Sequence, residues 1–322
     1  MAGSSKKVIY AALAGNALVA VTKFIAAALT GSSAMLSEGI HSVVDTGNQL
    51  LLLLGLHKAK QPADERFPFG HAKEVYFWSF VVALLIFAVG AGVSLYEGIH
   101  HLAHPAPITD PYINYLVLGL AVLFEGLSLY FALSEFSRTK GTRSYFDAIH
   151  RGKDPTIFVV LFEDAAAMLG LLVAFCGVLF SQLSGNLIYD GLASIVIGLI
   201  LGGTAIWLAY ETKGLLIGES ASVEVVAGIR KLVAAYPDVE HVNQVLTMHM
   251  GPQHILVNLS VDFSDQTTAL ELEKTIGVID LEIKRTWPNV KQVFIEAEAR
   301  GALRNDPTRT GSELPAPPAE KS

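Results

Sequence analysis

Apolar residues run along this chain in six long blocks up to about residue 210, and in shorter periodic patterns after it. The blocks cover about Val8 to Leu29, Met35 to His57, Val75 to Tyr96, Tyr112 to Leu133, Thr156 to Phe180 and Leu187 to Tyr210. Each has about the 20 residues that a helix needs to cross a bilayer. Gly31-Ser32-Ser33 and Ser184-Gly185-Asn186 form tight turns between blocks. Met1 to Lys7 is basic and runs into the first block, and no small-residue cleavage site follows, so that block is expected as a retained span. Lys and Arg gather at the N-terminus, after span two, after span four (Arg138, Lys140, Arg143, Arg151, Lys153) and after span six; the other three loops have neither. Cations of this kind stay on the cytoplasmic side, so the alternation predicts six spans with both termini cytoplasmic.

After Gly218 the period changes. Ser222 precedes Val223, Val226, Ile229, Leu232 and Val233 at helical spacing, a capped amphipathic helix that Pro237 stops. Val242 to His249 and His254 to Phe263 read as strands joined through Gly251-Pro252, with alternation at Ile255, Val257, Leu259 and Val261. A helix over about Thr268 to Trp287 and a strand over Val290 to Ile295 complete an α-β-β-α-β order, which suits a small open sheet with helices on one face. The expected organisation is a six-helix transmembrane bundle at 1–213, a cytoplasmic α+β domain at 214–300, and a tail at 301–322 rich in Pro, Gly, Thr and charge that is expected to be disordered.

Composition agrees, since 52% apolar and 16% charged residues are too greasy a mixture for an ordinary soluble domain. The net charge of -7 does not suggest a nucleic-acid partner. Cys176 is the only cysteine, which excludes an intrachain disulfide and a cysteine metal cluster.

The chemistry lies in polar residues inside the apolar blocks. His41 and Asp45 sit deep in span two, where an aspartate costs at least ~2.5 kcal/mol on insertion scales. Their spacing of four puts both on one helix face, with Glu38 and Asn48 three residues to either side. An imidazole and a carboxylate so placed can share a metal ion or pass a proton; the bland alternative is structural glue between helices. In span five, Glu163 and Asp164 stand about two turns into an apolar helix, and adjacent residues point ~100° apart, so one of them faces a given partner squarely. Glu125 in span four is a ligand, a proton carrier or a partner for Asn16 or Gln49. Asp190 reads as an interfacial helix cap, and Gly198, Gly202 and Gly203 as close helix packing.

With these residues in view, the chain up to about Arg300 resembles the cation diffusion facilitators, exporters of divalent transition metals in exchange for protons. Ser32-Ser33-Ala34-Met35-Leu36-Ser37-Glu38-Gly39-Ile40-His41-Ser42-Val43-Val44-Asp45 is similar to the family's second-span signature, and Phe69-Gly70-His71-Ala72-Lys73-Glu74 to that at the start of span three. The resemblance implies a homodimer whose protomers each hold a four-coordinate transport site between spans two and five. Val160 stands where members usually carry a histidine four residues before Asp164, so one nitrogen ligand is missing. Glu-Asp-Ala-Ala-Ala at 163–167 resembles the mitochondrial zinc transporters of animals, which also lack it. In the loop after span two, Glu65 and His71 match positions that bind a second metal in some relatives, with Phe67 where those have histidine. Asn258 and Glu296 stand where some relatives bind metal through histidine, which leaves His249, His254, Glu296 and Glu298 either as further candidates or as surface and strand-pairing residues.

The resemblance therefore implies metal ligation by His41, Asp45 and Asp164, with Glu163, a water molecule or Glu125 completing the shell. Such a set suits tetrahedral Zn²⁺ at ~2.0 to 2.2 Å, and its oxygen content admits Mn²⁺ or Fe²⁺, with Cd²⁺ or Co²⁺ as further cargoes. The expected partners are the lipid bilayer, the metal, protons and a second copy of the chain; no organic cofactor and no enzymatic activity are expected. The expected setting is a bacterial or archaeal inner membrane. Two other classes compete: a membrane metal sensor, which needs a strong site in the soluble domain, and an intramembrane metallohydrolase, for which no His-Glu-x-x-His helix is present.

Overall fold

A computed structural model describes residues 2–105, 111–140 and 154–299. Arg143, Arg151 and Lys153 of the basic loop, and the tail from Gly301, lie outside the described residues. The chain divides after Ile217 into two compact units.

The first unit holds α1 (Ala2–Thr30), α2 (Ser33–Lys58), α3 (Glu74–Ala103), α4 (Pro111–Lys140), α5 (Pro155–Ser184) and α6 (Ile188–Ile217). Local chemistry sets several of their ends. Ser32 accepts from Met35 N at 3.2 Å to cap α2, Asp154 caps α5 ahead of Pro155 in its first turn, and Gly185 ends α5 in the left-handed conformation (φ 67°). Each expected span lies on one of these helices. Four stretches are long and apolar enough to cross a membrane: Glu74–Ala103, Tyr112–Ser134, Phe158–Ser184 and Ile188–Ile217. In α1 the apolar described part is the shorter Asn16–Thr30. The buried side of α2 carries Ser37, Glu38, His41, Ser42, Asp45, Asn48 and Gln49, and this polar load lowers its overall hydropathy.

The unit is arranged inside out relative to a soluble protein. Leu116, Leu123, Phe131, Leu172, Leu199 and Ile206 point outward and exposed, whereas Lys23, Glu38 and Glu125 are buried. That is the distribution a hydrocarbon surround selects, with ionisable groups turned into the bundle. Met35, Tyr76, Ile86, Leu118, Leu171, Ile197 and Leu208 fill the space between helices. Helices α3 and α6 approach closely: a Cβ on Gly98 would stand 2.8 Å from Gly191 O, and one on Gly198 2.8 Å from Leu95 Cγ. Gly202 faces the Ala91 Cβ at an ordinary 3.5 Å and Gly203 has nothing within 4 Å, so of the three glycines read as packing residues Gly198 makes the tight contact. Within α3, Ile86–Ala91 winds as a π-helix against α6, a local irregularity with no counterpart in the hydropathy pattern.

The second unit contains α7 (Val223–Val233), β1 (Val239–Gly251), β2 (His254–Phe263), α8 (Ala269–Thr286) and β3 (Val290–Ala297). Strands β1 and β2 pair antiparallel from Val239↔Phe263 to Gly251↔His254, and β3 runs parallel to β2, giving a mixed sheet in the order β1-β2-β3. Val257, Leu259 and Val261 of β2 share one core with Ile229 and Val233 of α7 and Ile279 and Ile283 of α8. Their alternation is the one read from the sequence. Ser222 caps α7, and Thr268 with Glu271 forms a reciprocal capping box on α8, whose bonds hold the Glu271 carboxyl below its ordinary range.

Candidate metal site

The α2 face predicted from spacing exists and points inward. Glu38, His41, Asp45 and Asn48 are each at most 4% exposed. His41 Nδ1 lies 3.3 Å from Asp45 Oδ1 across one helical turn. Both His41 ring nitrogens and Asp45 Oδ1 lack a hydrogen-bond partner among the described residues. Buried polar atoms left this way cost ~1–3 kcal/mol each. Imidazole nitrogen and carboxylate oxygen are the donor types that Zn²⁺ takes.

The two carboxylates of α5 diverge, as their ~100° separation requires. Glu163 Oε1 accepts from Asn48 Nδ2 at 2.8 Å, which ties α5 to α2, and Asp164 Oδ2 accepts from Ser128 Oγ at 2.8 Å, which ties it to α4. Both are buried. The α5 acids thus reach two different helices, each held by a neutral partner, and Glu163 is the one that meets the polar face of α2. Among the described residues no three His, Cys, Asp or Glu side chains converge in ligand geometry. Val160 packs against the apolar core and offers no donor atom.

Glu125 is placed differently from either expected neighbour, Asn16 or Gln49. Its Oε1 lies 3.9 Å from the ammonium of Lys23, a fully buried α1 residue that also donates to Glu38 Oε2 at 3.0 Å and to Ser42 Oγ at 2.8 Å. Sequence reasoning passed over Lys23. The signal was there, since Lys23 is the one charged residue between Val8 and Leu29, and an intramembrane ionisable group deserves a role by default.

Asp190 does cap a helix, though not its own. It is fully buried and accepts from Ser32 Oγ (2.6 Å), Ser33 N (2.5 Å) and Ala34 N (3.4 Å) at the N-terminus of α2, with His101 Nε2 3.7 Å away. A carboxylate at that end also meets the positive pole of the helix dipole.

In the loop after α2, His71 pairs with Asp64 rather than Glu65. Asp64 Oδ2 meets His71 Nε2 at 3.0 Å, while Asp64 Oδ1 accepts from Arg66 N and Phe67 N. The His71 bond and these amides hold the Asp64 carboxyl below its usual range. The Phe67 ring meets the His71 ring at 4.6 Å with a 54° tilt, and Glu65 is exposed. In the second unit Glu298 accepts from Ser260 Oγ at 2.7 Å and Glu296 faces Asn258 Nδ2 at 3.4 Å, so both acids join β2 to β3. His249 is buried, and its amide donates to Glu219 O. Burial holds the His254 imidazole below its ordinary range, against the opposing influence of the Gln292 side-chain oxygen as an acceptor.

Residues 9–217 match the cation efflux transmembrane domain. The chain is 36% identical over 215 residues to the mitochondrial proton-coupled zinc antiporter SLC30A9 of Xenopus laevis, a match that covers 66% of this chain and 38% of that longer protein. It is 30% identical over 261 residues to metal tolerance protein C4 of Arabidopsis thaliana (80% of this chain, 55% of that protein). It is 25% identical over 229 residues to the cation-efflux pump FieF of Escherichia coli (71% of each). The second-span signature and the buried histidine–carboxylate face thus fall inside the matched domain, and the chain belongs to the cation efflux, or cation diffusion facilitator, family.

Proposed function

We propose that this chain moves divalent transition-metal cations, Zn²⁺ foremost, across a membrane in exchange for protons, through a six-span domain whose termini both face the cytoplasm. The observation that carries this reading is the buried His41–Asp45 pair with its unpartnered nitrogen and oxygen atoms, on a helix face that Glu163 reaches through Asn48. His41, Asp45, Asp164 and Glu163 form the ligand set. For both acids to ligate, Glu163 has to leave Asn48 and Asp164 has to leave Ser128. Such ligands bind metal only when deprotonated, so arrival of a cation releases protons and its departure takes them up. That exchange couples the two fluxes. The zinc antiporter relative supports Zn²⁺ as cargo, while an oxygen-rich set also suits Mn²⁺, Fe²⁺, Co²⁺ or Cd²⁺. The working assembly is a homodimer.

Full-length protein in proteoliposomes, with a metal indicator and a pH dye inside, tests the coupling. An imposed proton gradient should drive Zn²⁺ in the opposite direction, and reversing the gradient should reverse the flux. Metal movement that ignores the gradient and leaves the pH dye unchanged refutes antiport.

A further inference from the structure

Glu38 lies on the same α2 face as His41 and Asp45, one turn before His41, yet its surroundings set it apart from them. Lys23 Nζ holds Glu38 Oε2 at 3.0 Å and stands 3.9 Å from Glu125 Oε1, so one ammonium bridges carboxylates of α2 and α4 from its place on α1. A third contact, to Ser42 Oγ at 2.8 Å, fixes where the ammonium sits. On the opposite side Glu38 presses on α5 at Gly170, where any Cβ would collide with Glu38 Oε1. The absence of a side chain there is what leaves room for the carboxylate. All three ionisable groups are buried, and charges in such a setting attract far more strongly than in water.

We propose that Lys23 is an internal counter-cation: seated between Glu38 and Glu125, it withdraws both carboxylates from metal and confines divalent-ion binding to the His41–Asp45 side of α2. Lys23 is a positioning residue in this scheme, acting through Glu38. The inference rests on the transport reading for the role of His41 and Asp45, but the ion triad itself does not. Two buried carboxylates around one fixed cation resemble half of a divalent-ion site with the ion replaced by an ammonium. Removal of that ammonium leaves them uncompensated and able to recruit a cation from solution.

The test is Zn²⁺ stoichiometry, measured by equilibrium dialysis on full-length protein in detergent at neutral pH. In a His41→Ala/Asp45→Asn background, adding Lys23→Met should restore about one bound Zn²⁺ per chain, whereas adding Lys23→Arg should restore none, because only the first frees both carboxylates. If Lys23→Met binds no more Zn²⁺ than its background, the proposal is overturned. The triple variant Lys23→Met/Glu38→Gln/Glu125→Gln, made in the otherwise native chain, leaves neither carboxylate uncompensated and guards against a Lys23→Met protein that does not fold. It should bind Zn²⁺ within about threefold of the native affinity, and a loss of about tenfold or more would mean that Glu38 or Glu125 reaches the metal, which also overturns the proposal. Native-like Zn²⁺ binding by the His41→Ala/Asp45→Asn background would instead count against the transport site, and the increment due to Lys23→Met would still report on Lys23.

Discussion

Asp190 is where helix α6 holds the first turn of α2, the helix that carries the proposed ligands His41 and Asp45, and replacing it should be costly in a graded way. Its two short bonds run to Ser32 Oγ and Ser33 N at the first turn of α2. Asp190→Ala leaves a buried hydroxyl and a buried amide without an acceptor, at ~1–3 kcal/mol each, and removes a favourable helix-dipole contact of ~0.3–1 kcal/mol. Together these give ~2–7 kcal/mol, centred near ~4 kcal/mol. Asp190→Asn keeps one acceptor oxygen and should lose about half as much. At ~2–4 °C per kcal/mol for a chain of this size, thermal unfolding in detergent should fall by ~10 °C for Asp190→Ala and ~5 °C for Asp190→Asn. Zn²⁺ affinity should follow the same order, because α2 carries His41 and Asp45. If both variants melt within ~2 °C of the native chain, Asp190 does not anchor α2 and the estimate built from these bonds is wrong.

Glu163→Gln should weaken Zn²⁺ binding at neutral pH by about tenfold or more and flatten its pH dependence, since the amide can still meet Asn48 but cannot serve as a carboxylate ligand; calorimetry showing native affinity at every pH removes Glu163 from the site. Thr268→Ala opens the α8 capping box and should destabilise that helix end by ~1 kcal/mol, seen as roughly fivefold faster hydrogen exchange in its first turn; unchanged exchange rules out the cap as a stabilising element. Burial keeps His254 below its ordinary range, so the unfolded chain binds the proton more readily than the folded one, and the stabilising contribution present above pH ~6.5 is lost as pH falls through the lower folded value. Exchange from β2 should therefore quicken on acidification in the native chain and less so in His254→Gln, and identical pH profiles would dismiss the histidine as the cause.

Much of the architecture was legible because its signals are local. The six apolar blocks fall on helices, four of them long and apolar enough to cross a membrane, and Gly31, Pro155, Gly185, Pro237 and Pro288 punctuated the chain close to where elements start or stop. The inward face of α2 could be read because spacing alone fixes which residues share a helix side. Pairings between helices could not be read. That Glu163 meets Asn48, Asp164 meets Ser128 and Asp190 caps α2 depends on how the bundle packs, and no local pattern encodes it. Lys23 escaped notice because one lysine among many Ala and Val residues scarcely lowers the hydropathy of a block, and its partners lie on two other helices. The Asp64–His71 contact is likewise set by the turn that Asp64 makes with Arg66 N and Phe67 N, which sequence spacing does not reveal.

The most direct test of the account is Zn²⁺ flux into proteoliposomes by the native chain, His41→Ala and Asp45→Asn, each first shown to elute from size exclusion like the native protein. The account predicts that either substitution abolishes proton-driven Zn²⁺ flux while the native chain transports. Native transport rates in either folded variant would contradict it.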